Sequence, residues 1–211
     1  MIFTPQFIVP VFAGFITIGI GIFISTVNIK NVTYRRFFYT MIALGAFSVI
    51  AGFFNAFAIH DIIWYDFLLW SSLFIPPSIF VLFATFPSEK EILTKDVRRL
   101  AWVPAIILVF ITILFPRQFG AQVAEVAGLP IQIPGPWYPV ILAYYIVYFS
   151  SGFWFLLRTF RKSMDHFRAQ IGAGIIGVII ATIGMFITNV VAPWFGFSQL
   201  LDGINWVGWV P

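Results

Sequence analysis

The chain has 211 residues, of which 61% are hydrophobic and 9% charged, with no Cys and a formal net charge of +4. Soluble proteins carry about 25% charged residues, and a soluble domain of this size could not hide so much apolar surface. The composition excludes an ordinary soluble enzyme or nucleic-acid binder, and the absence of Cys excludes disulfides and thiolate metal sites.

Apolar stretches of about 18 or more residues are candidate membrane spans. The expected fold is an all-α polytopic membrane helix bundle forming one transmembrane domain over residues 1–211. Six full spans are predicted, at residues 7–27, 37–59, 62–86, 100–115, 138–157 and 171–192. The first is no signal peptide: its positive charge follows it, and no A-x-A site closes it. The fourth is short, which suggests a start before Leu100 or a crossing with little tilt. Beyond Pro193 the chain turns apolar again from Ile204, and the eight residues to Pro211 cannot cross a ~30 Å hydrocarbon core. They read as the start of a seventh helix, so the chain is expected to be a fragment of a longer protein.

The basic residues give the orientation. Lys30, Arg35 and Arg36 form one cluster; Lys90, Lys95, Arg98 and Arg99 a second; Arg158, Arg161, Lys162 and Arg168 a third. The intervening segments on the other side hold only Arg117. Basic residues mark cytoplasmic helix ends, so the N-terminus is expected outside, in a plasma membrane. Trp64, Trp137, Trp194, Trp206 and Trp209 fall near outer ends, as interfacial rings do. The loops at 87–99 and 158–170 read as helical extensions into the cytoplasm. In the outer loop, residues 118–128 are expected to form two helical turns lying on the surface. The Pro-rich residues 129–137 are expected to be extended.

Small residues suggest where helices touch. Ala173, Gly177, Ala181 and Gly184 make a stripe on the sixth span, Gly45, Ser48, Gly52 and Ala56 one on the second, and Gly14 and Gly21 a weaker one on the first. Gly172, Gly174 and Gly177 also fit G-x-G-x-x-G, but no strand precedes them as a dinucleotide site requires.

Catalytic and cofactor signals are absent. His60 and His166 lie in or beside loops on opposite faces, no Lys lies within a span, and no hydrolase or protease motif occurs. The middle third of every span lacks an ionisable group, which disfavours ion-coupled transport. Asp66 is the exception, one turn inside the third span near its outer end. Asn55, Thr112, Tyr144, Tyr145, Thr188 and Asn189 fall at similar depth. Such residues line either an outward-opening polar pocket, with Asp66, Asn55, Tyr144, Tyr145 and Asn189 as its ligand-binding set, or separate sites met by headgroups and carbonyls. Pro76-Pro77 breaks the third span, as a hinge or as a fixed kink, with Ser71, Ser72 and Ser78 near enough to satisfy freed backbone groups.

Two segments carry a resemblance. Leu82-Phe83-Ala84-Thr85-Phe86-Pro87 closes the third span with an F-x-x-F-P ending. Asp165-His166-Phe167-Arg168-Ala169-Gln170 leads into the Gly-rich helix, which ends Asn189-Val190-Val191-Ala192-Pro193. The chain resembles the N-terminal seven-helix membrane region of bacterial sensor histidine kinases. The resemblance implies a sensory input domain of a two-component signalling receptor, acting as a dimer and carrying no catalytic residue. Its partners would be the bilayer, a second copy, and an unidentified small-molecule, peptide or lipid ligand. A small transporter or a structural membrane subunit is the alternative.

Overall fold

Backbone polar groups in hydrocarbon must find partners inside the protein, and a helix supplies them locally. The computed structural model describes residues 5–27, 30–57, 63–86, 93–126, 129–162, 172 and 176. It contains α1 (Pro5–Val27), α2 (Val32–Phe57), α3 (Ile63–Leu73), α4 (Ile75–Thr85), α5 (Lys95–Leu100), α6 (Val103–Leu114), α7 (Pro116–Phe119) and α8 (Tyr138–Lys162). Strands β1 (Gly120–Val126) and β2 (Leu129–Pro134) stand between α7 and α8. Five stretches among the described residues are long and apolar enough to cross a membrane: Phe7–Val27, Val32–Phe57, Asp66–Thr85, Lys95–Leu114 and Tyr138–Arg161. They correspond to the first five predicted spans. The predicted sixth span, with Ala173, Gly177, Ala181, Gly184 and Asn189, and the start of a seventh lie outside the described residues, but for Gly172 and Ile176 within the sixth.

Local chemistry accounts for the shifted boundaries. α2 starts at Val32 because the Asn31 side chain accepts from the Thr33 and Tyr34 amides, at 2.8 and 3.2 Å, an N-cap that residue type favours. The fourth span begins before Leu100, as α5, capped by the Thr94 hydroxyl. A break at Ala101–Trp102 precedes α6, which has a Pro in its first turn. α8 runs on to Lys162, the helical extension expected of that loop.

The loop between the fourth and fifth spans corrects one expectation. Residues 118–128 do not form two surface helical turns. Helix stops at Phe119, and Gly120–Val126 is a strand paired antiparallel with Leu129–Pro134. The extended Pro-rich segment, itself borne out, offers the backbone partners that make a strand the better state for its neighbour. Val126 pairs with Leu129, leaving a two-residue connection that includes Gly128, a length typical of hairpins.

Helices α1 and α2 are antiparallel and touch through glycine. A Cβ on Gly14 would lie 2.7 Å from the Gly45 carbonyl oxygen, and one on Gly52 2.9 Å from that of Phe7. A Cβ on Gly21 would sit 2.7 Å from that of Met41. The predicted stripes on these two helices therefore face each other. Lipid tails are as apolar as side chains, so close packing and not hydrophobic burial holds such helices together. Hydroxyls join α2 to α4: Thr33 Oγ1 donates to the Thr85 carbonyl at 3.3 Å, and Thr40 Oγ1 lies 3.2 Å from the Ser78 carbonyl.

The chain divides into two compact units, Met1–Phe155 and Leu156–Pro211. In the first, a core of Phe54, Leu69, Leu73, Ala105, Leu108, Phe119, Ile141 and Tyr144 joins α2, α3, α6, α7 and α8. In the second, the end of α8 exposes Arg158 and Arg161.

Candidate functional site

In an uninterrupted helix the Leu73 carbonyl would accept from the amide four residues on. That residue is Pro77, which has no N–H. The third span accordingly divides at Phe74, whose amide turns back to the Ser71 carbonyl at 3.3 Å. Pro76 and Pro77 then occupy the first turn of α4, where helix amides need no partner. The three nearby serines do not satisfy the freed carbonyl. Ser71, Ser72 and Ser78 donate instead to Leu68, Leu69 and Ile75, each three residues back.

The missing donor comes from α8. Tyr144 is buried, and its hydroxyl donates to the Leu73 carbonyl at 2.7 Å. Tyr145 lies against Ser72 on the same helix end. One turn further, the Tyr148 hydroxyl donates to the Ala101 carbonyl at 2.6 Å, at the junction of α5 and α6. The Tyr144 and Tyr148 rings stand 4.8 Å apart. One face of α8 therefore reaches two interrupted spans at their breaks.

The same helix packs beyond the first break. Tyr148 meets Phe80 of α4 edge-on at 5.8 Å, as does Phe155 at 5.7 Å. Gly152 is buried, and a Cβ there would approach the Phe83 ring at 3.2 Å. On the α3 side, Trp70 Nε1 donates to Thr112 Oγ1 of α6 at 3.1 Å.

Phe119 closes the hairpin end of this core and is 1% exposed. Its position is set by a neck of main-chain bonds: Gly135 N donates to Phe119 O at 2.9 Å and Trp137 N to Gln118 O at 2.8 Å. A Cβ on Gly135 would collide with the Gln118 carbonyl, so only glycine admits this approach. The hairpin thus hangs from a ring of bonds whose lowest side chain is part of the bundle core.

Of the predicted pocket residues, Tyr144 and Tyr145 come together, with rings 5.8 Å apart. Asp66 is half-buried in the first turn of α3 and, with Trp70 and Leu73, recurs at the i, i+4, i+7 spacing of one helix face. Among the described residues no hydrogen bond joins it to Tyr144 or Tyr145. Asn55 is half-buried in the last turns of α2, and Asn189 lies outside the described residues. Among the described residues no cluster of His, Asp or Glu could hold a metal ion. Sequence reasoning missed Tyr148, Phe119 and Gly135. The available signals for the hairpin were Gly128 and the alternating Ile131 and Ile133, while Gly120–Val126, with two Ala and one Glu, reads more readily as helix.

A family model describing the N-terminal 7TM region of histidine kinases matches residues 9–207. The chain belongs to this family. No curated protein and no solved structure matches it. The histidine-kinase 7TM region is a membrane sensor region, an input domain without a catalytic module. The tyrosine contacts and the core end closed by Phe119 are therefore features of an input domain, and the resemblance carried by the F-x-x-F-P and N-x-x-x-P segments is borne out.

Proposed function

We propose that the chain receives an external or membrane stimulus and passes it, as helix movement, to a cytoplasmic histidine-kinase output. The family match over residues 9–207 carries this reading. The three basic clusters support an N-terminus outside a plasma membrane, and six spans with a further apolar segment from Ile204 fit the family's seven-span description. The stimulus enters at the outer end, where the hairpin neck places Phe119 in the core shared by α3, α6 and α8. A small-molecule, peptide or lipid ligand would meet the polar set of Asp66, Asn55, Tyr144, Tyr145 and Asn189, and the receptor would work as a homodimer. Pro76 and Pro77 mark the hinge.

The test uses the kinase that contains this region, reconstituted in lipid vesicles and followed by autophosphorylation. Phe119→Ala should change kinase output per molecule of kinase recovered in the vesicle membrane. Output equal to wild type would remove the outer end from the signalling route.

A further inference from the structure

The two tyrosine bonds have a common property: each donor sits on α8, and each acceptor is a carbonyl at a break in another span. We propose that α8 is a brace with two positions, which holds the α3/α4 and α5/α6 breaks in their observed geometry and releases both together. This proposal rests on the sensory reading above and names its moving part.

Three observations carry it. First, Tyr144 and Tyr148 are one turn apart on one helix face, so a rotation or axial slide of α8 displaces both hydroxyls at once. Second, Pro77 removes the backbone donor for Leu73, so the α3/α4 break has no internal bond that would replace Tyr144. Third, α8 touches both sides of that break: Leu73 before it through Tyr144, Phe80 and Phe83 after it through Tyr148 and Gly152. A change in the angle between α3 and α4 must alter at least one of these contacts. The Ala101 bond then extends the linkage to α5, whose Lys95, Arg98 and Arg99 lie at the predicted inner face. Interfaces of this kind have discrete packings and do not deform continuously.

The experiment is a distance measurement on the purified 211-residue chain in lipid nanodiscs. Nitroxide labels go on Leu100→Cys and Trp154→Cys, exposed positions at 62% and 63% in a chain with no other Cys. Tyr148→Phe and Tyr144→Phe should each produce a second distance population. Trp70→Phe, which breaks the Thr112 bond elsewhere, should produce none. In a Pro77→Ala background the restored amide can reach the Leu73 carbonyl, so Tyr144→Phe should add no further shift. Superimposable distributions for wild type and both tyrosine variants would overturn the brace. So would a shift with Tyr148→Phe alone, or an undiminished Tyr144→Phe effect on the Pro77→Ala chain. These distances need no output module, so a kinase that ignores Phe119→Ala would count against the sensory reading and leave the brace standing.

Discussion

Phe119 and Trp137 flank the hairpin in sequence and meet edge to face beneath it, ring centroids 5.7 Å apart at 87°. Such pairs contribute about 0.5–1.5 kcal/mol beyond area burial, and here the pair also fixes where the loop enters and leaves the bundle. Phe119→Ala should lower stability by about 3 kcal/mol, the range for large aromatic truncations in packed cores. Amide exchange at Gly135 and Trp137 should accelerate with it. Unchanged exchange at both amides would show that the neck holds without its anchor.

The α1–α2 contact gives a comparison within one helix. Gly14 faces the Gly45 backbone, whereas nothing lies within 4 Å of a Cβ on Gly19. Gly14→Leu should separate the helices and lower the melting temperature in detergent. Gly19→Leu should melt like wild type. Equal losses would mean that the close approach does not hold the pair.

The Trp70–Thr112 bond should be worth little by itself. Interhelical hydrogen bonds in membranes average about 0.6 kcal/mol by double-mutant cycle. Thr112→Val should cost about that much in a reversible unfolding assay, while Trp70→Ala, which also empties volume, should cost about 3 kcal/mol. A larger loss for Thr112→Val than for Trp70→Ala would reverse the assignment.

Orientation can be read chemically, because the chain has no Cys. With the N-terminus outside, Lys95→Cys should stay unlabelled by an impermeant maleimide on intact cells, and Arg117→Cys should react. The opposite pattern would invert every outer and inner assignment made above.

Asp66 shares a helix face with Trp70 and Leu73 and is half-buried in the first turn of α3. Asp66→Asn should alter the response of the intact kinase at constant membrane abundance. A wild-type response would remove Asp66 from the ligand set.

The first five spans were legible because twenty apolar residues in a row have few alternatives. The glycine contact of α1 with α2 was legible for a related reason, since small residues seven apart return to one helix face. The hairpin was missed because a short run such as Gly120–Val126 is judged by propensity alone until its partner strand is known. Tyr144 shows the deeper limit. That Pro77 strands the Leu73 carbonyl follows from sequence, but which hydroxyl reaches it depends on the azimuth of α8. Asn31, by contrast, was an available cap signal that a hydropathy window passes over.

The Tyr144–Leu73 bond also constrains how the protein is made. Its two residues are 71 positions apart, and chains elongate at about 5–20 residues per second, so Leu73 leaves the ribosome roughly 4–14 s before its donor. During that interval the third span carries a carbonyl that neither its own helix nor the surrounding acyl chains can satisfy. The span must therefore wait beside water, the insertion machinery or an earlier helix before α8 arrives. Arrested nascent chains ending before residue 138 should accordingly crosslink to the insertion machinery from position 73, and chains long enough to expose Tyr144 should lose that crosslink. On this account the third span cannot be fully buried before α8 is inserted.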